Sequence, residues 1–389
     1  MHRKCFHLAR LTSRLMILMC RFADVANKIM FNRKRLTLAR ERRGLTGIQL
    51  AEKAKLTAIT ISRLESGQTK QPDSETVYQI ALALNYPIDF FYRETPEELD
   101  PDTVSFRSLK KMSAKQKNAA LWAGSLGLEL YDLIEGIYQL PNPDLPEFGG
   151  QIDAESAARA VRQHWGLGER PIGNVLHLLE SKGIRVLSLE EDNSNVDAYS
   201  FWRDGHPFVF LNTYKTAEHT IFDCGHELGH LVLHKHGGPK PTKSAEVEAN
   251  RFSSAFLMPE HDVRAAIPRR LISARRIVEA KKRWKVSAMA LTVRLHQIGL
   301  LSDWQYRSLC IELGKLGYRT GEKVGMEREK SLIWQKILSD LWARHLTKED
   351  LAKKINLPYD EVERLIFQLA GDMPKKQQWT HTLKEVKTH

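Results

Sequence analysis

Apolar residues recur at helical spacing through most of the chain, and alternate with strand period only in its middle. Between residues 33 and 92 the pattern predicts five short helices. Leu36, Leu38 and Ala39 face inward on a first helix that stops at Gly44, and Thr46 opens a second carrying Leu50, Ala51 and Ala54. A short turn through Lys55 and Leu56 leads to Thr57, a good N-cap, and to a third helix, AITISRLES, that buries Ile61 and Leu64 and ends at Gly67. Asp73 or Ser74 caps a fourth, and Ile88, Phe90 and Phe91 close the core. The short turn between helices two and three is helix-turn-helix spacing.

Residues 93–110, with Pro96, Pro101 and several acids, read as a hinge. Ala114 to Leu140 carries a long helical stripe (Leu121, Leu126, Leu128, Leu130, Leu133, Ile134, Ile137) that suits a core or a dimer contact, and PNPDLPEF breaks it. Two further helices follow, Ala154 to Trp165 and Ile172 to Gly183. Ile184 to Leu189 alternates like a strand. Ala198 to Trp202 and Phe208 to Leu211 flank Arg203-Asp204-Gly205-His206, a hairpin signal. From Ala265 onward the pattern is helical again, with Val286, Met289, Leu291, Leu295 and Leu301 at core spacing. Near the end, LTKEDLAKKINLPYDEVERLIF echoes LTGIQLAEKAKLTAITISRLES; its tip, Pro358-Tyr359-Asp360-Glu361, is acidic and would repel phosphate, which points to a protein contact.

The chemistry concentrates in Ile221 to His234, IFDCGHELGHLVLH, an apolar run expected to form a buried helix. Residues four apart share a helical face, so His226 and His230 can bind one Zn²⁺ at roughly 2.0–2.1 Å and leave positions open. Glu227, one step round, can take a proton from metal-bound water. A core helix with two satisfied histidines is the plain alternative. A third ligand must come from elsewhere. After the helix-breaking His236-Gly237-Gly238-Pro239, SAEVEANRFSSAFLM buries Ala245, Ala249, Phe252 and Phe256, and Glu246 and Glu248 flank that stripe on either side. Periodicity does not choose between them. Glu246 ranks first and Glu248 second; His234 shares the histidine face but lies roughly 12 Å along the axis from His226, a structural position.

HELGHLVLH followed by EVEANRFSSAFLMPE, with PFVFLNTYKTAEH upstream, resembles the ImmA/IrrE family of zinc metallopeptidases. That resemblance implies Glu246 as the third ligand, since it opens the E-x-x-A-N segment with Ala249 and Asn250. It also leaves Asn250 one turn on, to hold a ligand from outside. The chain departs from the family at Ile221, where an Arg is common. In zinc peptidases a strand beside the metal helix takes substrate backbone by strand addition; Phe208 to Leu211 is the expected strand, ending at Asn212. Tyr199 and His206 are candidates to polarise the scissile carbonyl, though a core tyrosine and a surface histidine are the expected roles.

The 389 residues carry a net charge of +12, and residues 1–75 hold 16 Lys and Arg against 6 Asp and Glu. A basic first quarter argues for a polyanionic partner. LTLARERRGLT, QLAEKAKLT, ISRLESG and ALALNYPIDFF resemble the XRE (lambda-repressor-like) family. By that resemblance the third helix enters the major groove with Thr57, Ala58, Ile59, Thr60 and Arg63 at its tip. Arg63 suits guanine, and Ala58 and Ile59 suit thymine methyls. Arg33, Lys34, Arg35, Arg42 and Arg43 would lie along the backbone. Gly47 stands where relatives commonly have a phosphate-contacting Gln, so modest base specificity is expected.

These readings give an α+β fold, mostly α, in five parts. They are a basic extension (1–30) expected to be disordered, with Met30 as a natural start, a lambda-repressor-like helix-turn-helix domain (31–95), a hinge and long helix (96–150), a zincin-like peptidase domain with a small sheet (151–265), and a C-terminal helical region (266–389). Cys5, Cys20, Cys224 and Cys310 show neither paired metal spacing nor disulfide density, which fits a reducing cytoplasm, and no apolar run approaches the roughly 20 residues of a membrane span. The expected function is a DNA-binding regulator, acting as a homodimer on an operator in double-stranded DNA. It would carry a zinc peptidase that cleaves one protein substrate, possibly itself. The alternative is an antitoxin whose peptidase-like domain binds a cognate toxin.

Overall fold

The computed structural model describes residues 30–101, 104–106, 113–148, 152–189, 198–234, 243–268 and 272–371. The N-terminal extension and the His236–Pro239 breaker lie outside the described residues. The chain divides into two units: Met1–Arg40 with Leu45–Pro96, and Glu41–Gly44 with Glu97–His389.

In the first unit, side-chain caps set the helix starts. After α1 (Arg33–Arg42), α2 (Gly47–Ala54) begins at Thr46, whose hydroxyl accepts from the Gln49 N–H in a capping box. Its chain reverses at Lys55, in the left-handed region at φ 55°. Thr57 caps α3 (Ala58–Ser66), which stops at left-handed Gly67, and Asp73 caps α4 (Ser74–Leu84). Each such cap stabilises by about 1 kcal/mol. Leu36, Leu38, Leu50, Ile61, Leu64, Phe90 and Phe91 are all buried, as expected. Ile88 is not; it is 43 % exposed at the start of a 3-10 turn (Ile88–Tyr92).

The second unit is built on a four-stranded sheet in the order β1-β3-β4-β2, from β1 (Ser105–Phe106), β2 (Arg185–Ser188), β3 (Ala198–Arg203) and β4 (His206–Leu211). β3 and β4 form the expected hairpin, turning through Asp204 and Gly205, both at positive φ. β2 joins β4 in parallel. β4 is therefore paired on both sides, which corrects the expectation that it receives a peptide: it has no open edge.

Strand alternation sends Tyr199 and Phe201 to one face and Ser200 and Trp202 to the other. On the first face lies α5 (Ala114–Ile137), where Tyr131, Tyr199, Phe201, Phe208 and Phe210 form an aromatic cluster. Gly127 lets α5 approach closely, because a Cβ there would sit 2.6 Å from Leu187 and 2.7 Å from Phe210. This buried stripe makes α5 a core helix. On the second face lies α8 (Ala217–Leu233), flanked by α6 (Ala154–His164), α7 (Val175–Ser181) and α9 (Lys243–Leu257). Trp202 Nε1 donates to the Leu231 carbonyl across that face.

The remainder is helical: α10 (Glu260–Ala266), α11 (Ala274–Ala280), α12 (Ala288–Gln297), α13 (Asp303–Lys315), α14 (Leu332–Ala343), α15 (Lys348–Lys354) and α16 (Tyr359–Ile366). The sequence echo is structural. Thr347 caps α15 as Thr46 caps α2, and Asn356 is left-handed where Lys55 is. Among the described residues, no helix is long and apolar enough to cross a membrane.

Candidate metal centre and nucleic-acid face

Thr216 caps α8, and the helix then runs buried on every side from Asp223 to Val232. Such a helix has no solvated face, so its polar residues must find partners inside the protein. His226 and His230, one turn apart, bring their Nε2 atoms within 3.1 Å of each other. Glu246, in the first turn of α9, meets them from across the helix pair: its Oε2 is 3.3 Å from His226 Nε2 and its Oε1 3.4 Å from His230 Nε2. Two glycines allow this approach. A Cβ on Gly225 would stand 2.6 Å from Ser253 Oγ, and one on Gly229 would stand 3.2 Å from both Ala249 Cα and Phe252.

Both Glu246 oxygens are buried and accept no hydrogen bond. The three donor atoms lie within 4.8 Å of one another. Tetrahedral zinc with bonds of roughly 2.0–2.1 Å needs ligands about 3.3 Å apart, so the donor set and its spacing fit that ion.

Glu227 is completely buried beside the pair. Its Oε2 accepts from Ser200 Oγ at 2.7 Å, a contact from β3 that helical periodicity did not reveal. The signal for it was a lone small polar residue in the aromatic strand AYSFW, on the face opposite Tyr199. His234 and Glu248, ranked below Glu246 as ligands, act together. His234 Nε2 lies 3.0 Å from Glu248 Oε2, and His234 Nδ1 lies 3.0 Å from His230 Nδ1. A carboxylate only accepts, so His234 Nε2 carries the hydrogen. Burial lowers the His234 pKa, favouring the neutral ring, whose Nδ1 then accepts from His230 Nδ1–H. That leaves the His230 Nε2 lone pair facing Glu246. His234→Ala is therefore expected to weaken zinc binding about 10–100-fold with all three donors in place, as measured by competition with a chromophoric chelator.

Asn250 reaches the ligand residue Glu246 through its backbone: Asn250 Nδ2 donates to the Glu246 carbonyl at 2.7 Å, one helical turn back. Cys224 is buried, and burial pushes its thiol well above the ordinary value. Tyr199 is a core residue donating to the Ala120 carbonyl. Asn212 Oδ1 accepts from the Tyr214 N–H in the loop before α8.

In the first unit, Thr57, Ala58 and Ile59 stand exposed at the start of α3 and Arg63 is exposed in its last turn, with Thr60 half-buried and its hydroxyl 2.9 Å from that of Thr57. Two arginines expected on phosphates are buried instead. Arg35 is 2 % exposed, donating to the Glu94 carbonyl with its guanidinium over the Phe90 ring. Arg42 is 7 % exposed and belongs with the second unit, where it pairs with Glu361 Oε2 at 2.7 Å. Arg43 is half-buried there against Asp360 and Glu361. Their positive charge holds Glu361 below its ordinary pKa against the effect of burial. The acidic tip of α16 thus makes a protein contact, and Arg42 is structural.

A helix-turn-helix family model matches residues 36–91, and an M78 peptidase model, described as an IrrE N-terminal-like domain, matches residues 179–296. The second span holds both histidines, Glu227, Glu246 and Ser200. No curated protein matches the chain. The chain thus joins an XRE-type helix-turn-helix DNA-binding segment to an IrrE/ImmA-like peptidase segment, the fusion its motifs predict.

Proposed function

We propose that the protein is a DNA-binding regulator whose second unit is a zinc-dependent endopeptidase directed at one protein partner. The observation that carries this reading is the meeting of His226 Nε2, His230 Nε2 and the two buried Glu246 oxygens next to a buried Glu227. Those three residues would hold the ion. Bound zinc supplies an acidified water and a Lewis acid for the scissile carbonyl. Glu227 takes the proton from the attacking water and passes it to the departing amine. The Ser200 hydroxyl, donating to Glu227 Oε2, holds that carboxylate in place. The His230–His234–Glu248 chain keeps the ligand nitrogen unprotonated.

In the first unit, Thr57, Ala58, Ile59, Thr60 and Arg63 would read base edges and Arg33 and Lys34 the phosphates. Arg63→Ala is expected to cost about 1–3 kcal/mol at the guanine it pairs with, read as reduced discrimination between operator variants in a binding titration. The enzymatic half is tested by metal content and by hydrolysis of a proteome-derived peptide library with and without chelator. One zinc per chain with chelator-sensitive cleavage supports it; a chain that takes up no zinc overturns it.

A further inference from the structure

β3 meets the candidate catalytic helix through two side-chain hydrogen bonds, Ser200 on Glu227 and Trp202 on the Leu231 carbonyl. A peptide brought to this site by strand addition would use the outer edge of β3. The far edge of the sheet offers no equivalent, since the Val186 carbonyl of β2 already accepts from Tyr131 Oη and Trp334 Nε1. The outer edge of β3 is occupied by the chain itself. β1 pairs with it antiparallel, Ser105 opposite Ser200 and Phe106 opposite Tyr199. That pairing sets the backbone of Ser105 one strand spacing, roughly 4.8 Å, from the residue that holds Glu227.

The approach to β1 is anchored. The Glu97 carbonyl accepts from Ser125 Oγ, and Glu97 Oε2 lies 3.0 Å from Arg203 Nε at the end of β3. Leu99 packs against Gly124 of α5, where a Cβ would come within 2.2 Å of it, and Val104 is 1 % exposed. In sequence this segment follows directly on the helix-turn-helix match at residues 36–91.

We infer that Ser105–Phe106 lies in the position of a peptide substrate, and that the protein cleaves its own chain at a bond flanking these two residues. The inference rests on the peptidase reading above. The reaction consumes one water: its oxygen bonds to the carbonyl carbon, the C–N bond breaks, and a proton reaches the leaving amine through Glu227. No other reactant is needed. The cut severs the DNA-reading helices from the rest of the chain.

The test follows the full-length, zinc-loaded protein by intact-mass spectrometry, with a proteome-derived peptide library assayed in parallel. The expected result is one fragment pair with its junction flanking Ser105–Phe106, absent in Glu227→Gln. A double variant, Ser105→Pro with Phe106→Pro, lacks the N–H groups of an added strand. It should lose self-cleavage, cut the library several-fold faster through the vacated edge, and exchange its β3 amide hydrogens at least ten-fold faster. Library cleavage with an intact chain, or with a cut elsewhere, overturns this inference and leaves the peptidase reading standing. Failure of both reactions removes the peptidase reading and this inference with it. Unchanged β3 exchange in the double variant overturns the docking itself, whatever the chemistry does.

Discussion

Glu227→Gln is expected to slow peptide hydrolysis by 10²–10⁴-fold, the range for losing a positioned general base, or about 2.7–5.5 kcal/mol of barrier. Zinc content should not change, because Glu227 is not among the converging donors. Gln keeps the shape of the side chain and can still meet the Ser200 hydroxyl, so the fold should hold. Steady-state rates on any cleaved peptide, beside elemental analysis of both proteins, check the two halves together. The same variant separates the regulator from the antitoxin alternative. A toxin held by the peptidase-like fold without hydrolysis would still be neutralised by Glu227→Gln. A partner that must be cut would instead accumulate and copurify with it. A variant with unimpaired turnover would remove Glu227 from the chemistry.

Glu246→Ala should have the larger effect on the metal. It removes the anionic donor of the three and leaves two neutral imidazoles, so the affinity loss should exceed the 10–100-fold cost of an outer-sphere change. At zinc levels a hundred-fold above the parent Kd, binding stabilises the folded chain by about 2.7 kcal/mol; in Glu246→Ala that zinc-dependent rise in Tm should disappear. Acid should act in the same direction on the parent, because imidazoles must be deprotonated to ligate. Equal zinc-induced shifts in parent and variant would show that Glu246 is not a ligand.

Local chemistry made much of this legible. Thr46, Thr57 and Asp73 announce helix starts by residue type, and Gly67 announces an end, because caps and left-handed turns depend on immediate neighbours. The pairing of His226 with His230 follows from helical spacing alone. Glu246 needed more, since Glu246 and Glu248 flank the same stripe and only the path of α9 against α8 separates them. The buried arginines were legible but misjudged. Arg35, Leu38, Ala39 and Arg42 fall at i, i+3, i+4 and i+7, the inward stripe of α1, whereas the charge of the two arginines by itself points to an exposed face. β1 could not be read this way. It is two residues long, and its partner Ser200 lies far along the chain, so neither alternation nor composition marks it. The choice of β4 as the peptide strand failed for a related reason: pairing on both sides is a property of the sheet, invisible in one strand.

The glycines at 225 and 229 carry a further consequence. They sit next to the two histidines, and they fix how near α9 can come rather than what it offers. The grip of the centre is thus tuned by the gap between two rods, a few tenths of an ångström deciding whether three perfectly retained donors still converge. A methyl group added at Gly229 would stand 3.2 Å from the Ala249 Cα, so α9 must yield by a few tenths of an ångström for the three donors to stay converged. Where α9 cannot yield, a chain that keeps both histidines and the glutamate but fills this crevice would read as an enzyme on paper and behave as a scaffold.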